Sequence, residues 1–300
     1  MKKLLPLAAL VLMGQAPPPS LVTPTSDEIL AKAPAAHWIA INPDDLMVMD
    51  SAAGRMVIQL APDFAPAHVA AIKALVRAGR FDDGRIVRVQ DNYVVQWAAK
   101  PGAGQEPVSQ PPDVREQRVR ASPLPAEYER PIKGLSFKRL PFADAYAKAG
   151  FVAGWPAARD RKAGTVWLTH CYATVGVGRD MPPDTGDGSE LYTVIGHGPR
   201  HLDRNITNVG RVIAGIEPHA ALPRGTEALG FYKDEAARTR ITQVRMASDM
   251  PGFARWQMLD TDSRTFADWM GSRANRTGFF VRPAGAADLC NLRVPVRETR

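Results

Sequence analysis

The chain is poor in cysteine and has no long apolar run, and each scarcity excludes a class of protein or site. Its 300 residues include only two cysteines, Cys171 and Cys290, which excludes a zinc site built from cysteine ligands. One disulfide, formed in an oxidising compartment, and two buried free thiols are both open for this pair. The apolar run over residues 4–13 is too short to span a bilayer, so no membrane span is predicted.

Runs of like charge are also missing, although the chain as a whole is basic. Its formal net charge of +7 permits binding to nucleic acid or to an anionic surface. The basic residues are scattered, however, and five or more like charges never occur in succession. We therefore predict no nucleic-acid partner and attribute the excess charge to solubility.

The first 16 residues have the layout of a secretory signal peptide. Lys2 and Lys3 precede the apolar run, and the small residues Gly14 and Ala16 follow it. We therefore expect residues 1–16 to direct export and the mature protein to be periplasmic. Residues 17–44 are predicted to form a proline-rich spacer with a short helix.

Strand and turn patterns dominate the next part of the chain. A β-hairpin is predicted over 46–60, with Gly54 in its turn. A helix is predicted from Pro66 to Gly79, because apolar residues recur there at spacings of three and four. Further strands are predicted over 86–89, 93–97, 164–171, 189–195, 209–213 and 241–247. This pattern indicates a mainly β fold, a closed or nearly closed β-barrel with flanking helices over residues 45–248.

Two segments depart from the barrel pattern. Residues 100–162 contain nine prolines, which forbid long regular elements, so this segment is predicted to be a long insertion. Its aromatic second half should fold against the main body, with a short helix over 142–149. Residues 249–300 are predicted to be a C-terminal extension that docks on the barrel. Phe266, Trp269 and Met270 would lie on one helical face there, followed by an apolar segment over 279–281.

A hairpin over residues 81–98 carries the two polar side chains on which the functional prediction rests. Its strands are joined by a polar turn at 90–92. Because side chains two apart in a strand share a face, we expect Arg88 on the side of Ile86 and Gln96 on the side of Val94. The hairpin would then present a guanidinium and an amide beside apolar neighbours. An ordinary surface hairpin with a solvated arginine is the alternative.

Other candidate motifs have unsuitable spacing. His170 and Cys171 are adjacent, so in a strand they point to opposite faces, and a cysteine nucleophile activated by this histidine is not expected. The segment 197–201 contains Gly-Pro and cannot form the helix that would bring its two histidines to one metal. The aspartates over 180–187 lack the spacing and the final glutamate of an EF-hand. No metal site and no cofactor are therefore predicted.

The order of these segments resembles the cyclophilin family of peptidyl-prolyl cis-trans isomerases, over residues 45–98 and 163–248. The family's Phe-His-Arg-Val motif is similar to residues 86–89, which places Arg88 on the family's catalytic arginine. The family's Gln-Gly-Gly motif is similar to residues 96–98, which places Gln96 on the glutamine of that motif. The likeness implies a closed β-barrel and an isomerase that acts on X-Pro bonds.

Two more family motifs supply the rest of the implied site. Gly-Ser-Gln-Phe-Phe-Ile is similar to residues 188–193, which puts Glu190 on a glutamine and Tyr192 on the floor of the proline pocket. Trp-Leu-Asp-Gly-Lys-His is similar to residues 201–206, with His201 in place of the tryptophan and Ile206 in place of the histidine. Because cyclosporin recognition in the family relies on that tryptophan, we expect the drug to bind weakly.

The resemblance implies a role for each of these side chains. Arg88 would donate a hydrogen bond to the prolyl nitrogen of the twisted amide, and Gln96 would orient Arg88 or a substrate carbonyl. The proline ring would be enclosed by Tyr93, Val94, Tyr192 and Leu202. Proline-containing peptides or proteins are thus the expected substrates.

Departures from the family pattern leave two functions open. An ionised Glu190 can only accept hydrogen bonds, and we expect it within reach of Arg88, where it would compete for the guanidinium. Trp97 and Ala98 replace two glycines and add bulk. Retained Arg88 and Gln96 favour a periplasmic isomerase of exported proteins. The replacements favour a catalytically weak module that binds proline-containing segments or a protein partner.

Overall fold

The computed structural model describes residues 24–100 and 124–299. The predicted signal peptide over 1–16 lies outside these ranges, as do part of the spacer and the first part of the insertion. Within them, the α-helices are α1 (Ser26–Ala31), α2 (Pro66–Arg77), α3 (Glu217–Ala220) and α4 (Arg264–Ala274). In this described part of the chain, every helix is too short or too polar to cross a membrane.

The described ranges also contain sixteen strands. In chain order they are β1 (Trp38–Ala40), β2 (Leu46–Ser51), β3 (Gly54–Leu60), β4 (Arg85–Val89), β5 (Val94–Ala98), β6 (Arg130–Pro131), β7 (Lys138–Arg139), β8 (Lys148–Val152), β9 (Trp155–Asp160), β10 (Thr165–Leu168), β11 (Thr174–Val177), β12 (Glu190–Val194), β13 (Asn208–Ala214), β14 (Ile241–Met246), β15 (Arg255–Leu259) and β16 (Val296–Thr299).

Local sequence explains where the first two helices begin. The Thr25 hydroxyl accepts a hydrogen bond from the Glu28 N–H at the start of α1, and the Glu28 carboxylate accepts one from the Thr25 N–H. Pro66 opens α2, in the first turn, where the missing N–H of proline loses no helical partner. Val69 and Ile72 of α2 are buried in the barrel core, as the apolar spacing predicts.

Eight antiparallel strands form the barrel that holds the main core. Their order is β14-β2-β3-β13-β11-β12-β5-β4. The two edge strands meet, because Ile86 N–H donates to Thr239 O and Ile241 N–H donates to Gly84 O, both at 2.9 Å. Inward-facing residues of these strands fill the interior together with α2. The predicted mainly β, nearly closed barrel is therefore confirmed.

The described part of the insertion forms a second, five-stranded sheet of order β6-β10-β9-β8-β7. Strand β10, which the sequence pattern assigns to the barrel, belongs to this sheet instead. The predicted helix over 142–149 is wrong. The Asp144 side chain accepts hydrogen bonds from the N–H groups of Tyr146 and Ala147 at 3.0 Å, and such a turn competes with helix formation.

The C-terminal residues pack against the outside of the barrel. Strands β15 and β16 form a three-stranded sheet with β1, and α4 packs on α1. Phe266, Trp269 and Met270 of α4 are buried in one cluster with barrel residues of β2 and β3, as the helical face predicts. The apolar segment that follows does not dock, since Phe279 is 91% exposed and Val281 is 94% exposed.

A disulfide ties this C-terminal part to the loop that follows β10. Cys171 and Cys290 are bonded across a sequence separation of 119 residues, which decides between the two states that the sequence leaves open. A bridge that closes so long a loop restricts the unfolded chain, and in the chain-entropy account this stabilises the fold by about 5 kcal/mol.

Candidate active site

A β-bulge determines where Arg88 points. Ile86 pairs with Trp97, but Arg88 pairs with Gln96, so Val87 and Arg88 together oppose one residue of β5. Ile86 and Trp97 are both buried in the barrel core. The expectation that Arg88 shares a face with Ile86 is therefore wrong, because the extra residue rotates Arg88 onto the outer face of the barrel, beside Gln96.

Three acceptors hold the Arg88 guanidinium in place. Its Nε donates to the Leu229 carbonyl at 2.6 Å and its Nη1 to the Gln96 Oε1 at 2.9 Å, while Nη2 donates to the Gln90 Oε1. A guanidinium has five N–H groups, so two remain to meet a substrate. Burial lowers the pKa of Arg88, and its carbon Cζ lies 5.5 Å from the centre of the Tyr93 ring.

Gln96 links Arg88 to Glu190. Strand β12 lies beside β5, and the Gln96 Nε2 donates to the Glu190 Oε1. Arginine only donates and a carboxylate only accepts, so this chain fixes the orientation of the Gln96 amide. The expected direct bond is not present: among the described residues, no ion pair joins Glu190 to Arg88.

An apolar surface lies beside the guanidinium. Val94, Tyr192 and Val194 form a buried cluster against which Tyr93 and Ile206 pack. The His201 ring lies parallel to that of Tyr93, with ring centres 6.4 Å apart. The structure thus brings together eight of the nine side chains that the sequence assigns to the site. Leu202, the ninth, is half-buried in the short turn after Pro199, outside this cluster.

The first of the two glycine replacements, Trp97, does not face this surface. Trp97 is fully buried in the barrel core, on the opposite face of β5 from Gln96. The bulk of its indole therefore fills the barrel rather than the candidate pocket.

The pocket floor is held from behind by a polar network that the sequence motifs do not reveal. The Tyr192 hydroxyl lies 3.0 Å from the His170 Nε2, and the His170 Nδ1 lies 3.1 Å from the Asp203 Oδ1. Burial lowers the pKa of His170 and raises the pKa of Tyr192, so both are neutral. The histidine therefore accepts from Tyr192 and donates to Asp203.

Two further charges complete this network. The Arg200 Nε donates to Asp203 at 2.7 Å and its Nη1 donates to Asp144 at 2.8 Å. The side chains of Arg200 and Asp144 are only 4% and 2% exposed. Burial opposes ionisation of Asp203, but His170 and Arg200 outweigh it and lower the pKa of this carboxyl. Asp144 comes from the insertion, which is thereby tied to the floor of the pocket.

The other polar motifs serve local structure. The Asp184 carboxylate accepts from the backbone N–H groups of Asp180 and Gly186, and Asp187 accepts from Ser189. Within the two described ranges, no group of three or more His, Cys, Asp or Glu side chains could hold a metal ion. His170 is a buried member of the network, and Cys171 is bonded to Cys290.

Comparison with known proteins places this geometry in context. The family model described as cyclophilin type peptidyl-prolyl cis-trans isomerase/CLD matches residues 46–245. Two curated relatives, from Brucella suis and Brucella abortus, are named probable peptidyl-prolyl cis-trans isomerase. Each is 24% identical over 190 residues, which cover 63% of this chain and 76% of the relative.

A solved structure shares the fold over nearly the whole chain. The crystal structure of a cyclophilin from Hirschia baltica has a TM-score of 0.66 and 22% sequence identity, and the match covers 92% of this chain and 98% of that one. The likeness in fold therefore extends beyond the barrel to the insertion and the C-terminal part.

Proposed function

The chain belongs to the cyclophilin-type peptidyl-prolyl cis-trans isomerase family, and on this premise we propose that it isomerises X-Pro bonds of exported proteins at the Arg88 pocket. The observation that supports this site most directly is the fixed guanidinium of Arg88. It has two N–H groups to spare and lies next to the apolar surface formed by Tyr93, Val94 and Tyr192.

The reaction requires rotation about a bond rather than cleavage of one. Amide resonance gives a barrier of about 20 kcal/mol, and the uncatalysed step takes tens of seconds. As the bond twists, the lone pair localises on the prolyl nitrogen. A guanidinium aimed at that nitrogen binds the twisted state better than either planar state, which lowers the barrier.

The neighbouring residues prepare Arg88 for this task. Gln96 and Gln90 hold the guanidinium from two sides, so little reorganisation is needed when the charge on the nitrogen develops. The apolar cluster around Tyr192 would receive the proline ring. No nucleophile and no proton transfer are needed for such a rotation.

Export is the second part of the proposal. Lys2, Lys3 and the apolar run over 4–13 have signal-peptide character, and the Cys171–Cys290 disulfide suits an oxidising compartment. Mass spectrometry of the protein purified from a periplasmic fraction tests this. A shortened N-terminus is expected, and an intact Met1 in the cytoplasmic fraction would contradict export.

One observation favours the alternative function, a weakly catalytic module that binds proline-containing segments. The Leu229 carbonyl takes the Arg88 Nε, a donor that substrate cannot then use. A protease-coupled assay on a short Xaa-Pro peptide separates the two. Acceleration of isomerisation in proportion to enzyme concentration supports the isomerase, whereas saturable peptide binding without acceleration supports the binding module.

A further inference from the structure

One face of the insertion sheet, together with the turn after β9, carries a cluster of four basic side chains, which we call the basic face: Arg139, Lys148, Arg159 and, in the turn, Arg161. Lys148 of β8 lies directly opposite Arg159 of β9, and Arg139 of β7 pairs with Gly150, two residues from Lys148. Cross-strand partners and residues two apart share a face. All four side chains line a single cleft of about 430 Å³.

These charges have no acidic partners in the described part of the chain. None of the four forms an ion pair there, and the buried Arg159 Nε has no hydrogen-bond partner. The pKa of Arg159 is lowered by burial and by the charges of Arg161 and Arg139. Like charges opposite each other on neighbouring strands repel, so the unliganded sheet keeps a repulsion that an anion would relieve.

The single acid that lines the cleft does not compensate them. Asp144 is occupied by Arg200 and by the backbone N–H groups of Tyr146 and Ala147. Some surface arginines elsewhere in the described residues do have acidic partners. Arg55 binds Asp50 at 2.7 Å, and Arg264 binds Asp268 at 2.8 Å. Unlike Arg55 and Arg264, none of the four basic side chains of this face has an acidic partner among the described residues.

The neighbouring apolar groups indicate which kind of anion fits. The Arg159 guanidinium lies 4.2 Å from the centre of the Phe137 ring, so that ring is covered and is not free to stack on a nucleobase, as single-strand binding requires. Leu140 and Phe142 provide apolar walls. Arginine matches carboxylates through two parallel hydrogen bonds. Carboxylates on a polypeptide suit this cleft better than a nucleic acid does.

We infer that the basic face binds an acidic segment of a polypeptide substrate, at a second site distinct from the Arg88 pocket. This inference rests on the proposed function, since a protein that isomerises X-Pro bonds takes polypeptides as substrates. The site would favour substrates with Glu or Asp clusters near the target proline. Binding there would raise the local concentration of such substrates at the Arg88 pocket without adding a new catalytic group.

Fluorescence anisotropy with a proline-free probe tests the site independently of catalysis. The probe is a labelled Gly-Ser peptide with six glutamates, and its matched control has six glutamines. The wild-type chain should bind the Glu probe in a salt-dependent manner and the Gln probe much more weakly. Lys148→Gln combined with Arg161→Gln should weaken binding at least about fivefold, as expected for two exposed charge pairs.

A matched double variant controls for net charge. Arg255→Gln combined with Arg264→Gln removes two exposed positive charges far from the basic face along the chain and should leave binding within twofold. Equal loss in both double variants, or equal binding of the Glu and Gln probes, would overturn the inference. Tighter binding of a single-stranded oligonucleotide of equal charge would also overturn it, in favour of a nucleic-acid site.

Catalysis provides the second readout. On a neutral Xaa-Pro peptide, both double variants should keep the wild-type kcat/KM. On a peptide with glutamates next to the proline, only the basic-face variant should show a raised KM. If the wild-type chain binds the Glu probe but does not accelerate isomerisation, the proposed function alone is refuted. If it accelerates isomerisation but does not prefer the Glu probe, only the second site is refuted.

Discussion

The Nη1 of Arg88 lies 2.9 Å from the Oε1 of Gln96, and the other end of the same amide donates to Glu190. The three side chains form a chain with one direction, from the cation through the amide to the carboxylate. Glu190 therefore acts on Arg88 by orienting Gln96, rather than by competing for the guanidinium.

This chain predicts how substitutions of Glu190 behave. Glu190→Gln still offers an acceptor to Gln96, so kcat/KM on a neutral Xaa-Pro peptide should stay within about twofold. Glu190→Leu releases the amide and should lower kcat/KM about fivefold, which corresponds to a hydrogen bond of about 1 kcal/mol. A Glu190→Gln enzyme that is several times faster than wild type would show that the carboxylate competes for Arg88 after all.

The Tyr192 hydroxyl should matter for stability more than for turnover. It points away from the pocket to the buried His170, so Tyr192→Phe leaves a buried acceptor unpaired and should lower the free energy of unfolding by about 1 to 2 kcal/mol. The ring that forms the floor is retained, so kcat/KM should change less than twofold. Urea denaturation measures the first effect. Tyr93→Phe, at a half-buried ring, is the matched control and should cost less than about 0.5 kcal/mol.

The polar network behind the pocket predicts a loss of stability in acid. The pKa of His170 is lowered from 6.5 by burial, so as the pH falls through that value the unfolded chain takes up the proton first and the folded state loses stability. Burial opposes ionisation of Asp203 and Asp144, but their partners outweigh it. His170 and Arg200 lower the pKa of Asp203, and Arg200 lowers the pKa of Asp144. Their contribution is present at neutral pH and is lost below about pH 4.

Denaturant titrations at several pH values check this prediction. The free energy of unfolding should fall from pH 7 to pH 5 and fall further below pH 4. His170→Gln removes one titrating group, so its profile should be shallower between pH 7 and pH 5. A wild-type profile that is flat or rises on acidification would contradict the assignment of a neutral buried histidine.

Cyclosporin should bind weakly to this chain. The motif resemblance aligns His201 with the family tryptophan on which recognition of the drug relies, and the His201 ring lies parallel to Tyr93 at the edge of the apolar cluster. His201→Trp should therefore tighten inhibition about tenfold, the effect of one well-placed hydrogen-bond donor. Inhibition titrations of both proteins measure this. Tight inhibition of the wild type would show that His201 does not occupy the tryptophan position.

Features that depend on neighbours in the sequence could be predicted. The hairpin β2–β3 and helix α2 follow from turn residues and apolar spacing that lie within a few residues of each other. The grouping of Arg88, Gln96 and Tyr192 follows from the family motifs. In each case, short-range pattern or family resemblance carries the information.

Features that depend on irregular backbone or on distant contacts could not be predicted from the sequence. The bulge at Val87 adds one residue to a strand, and nothing in the alternation of Ile86 and Arg88 signals it. The Tyr192–His170 and Arg200–Asp144 contacts join residues 22 and 56 apart in sequence, so no local pattern reveals them. The exposure of Phe279 is likewise a property of tertiary packing, which apolar composition does not determine.

The most direct test of the account is the isomerase activity of Arg88→Ala, measured on a short Xaa-Pro peptide with Arg85→Ala as control. Arg85 lies on the same strand and donates to the backbone carbonyls of Asp83 and Gly84, so its removal should leave kcat/KM within about twofold. Arg88→Ala should lower kcat/KM about a hundredfold, as expected when one transition-state donor is lost, while circular dichroism shows an intact fold. Wild-type turnover in a folded Arg88→Ala protein would contradict the role assigned to this guanidinium.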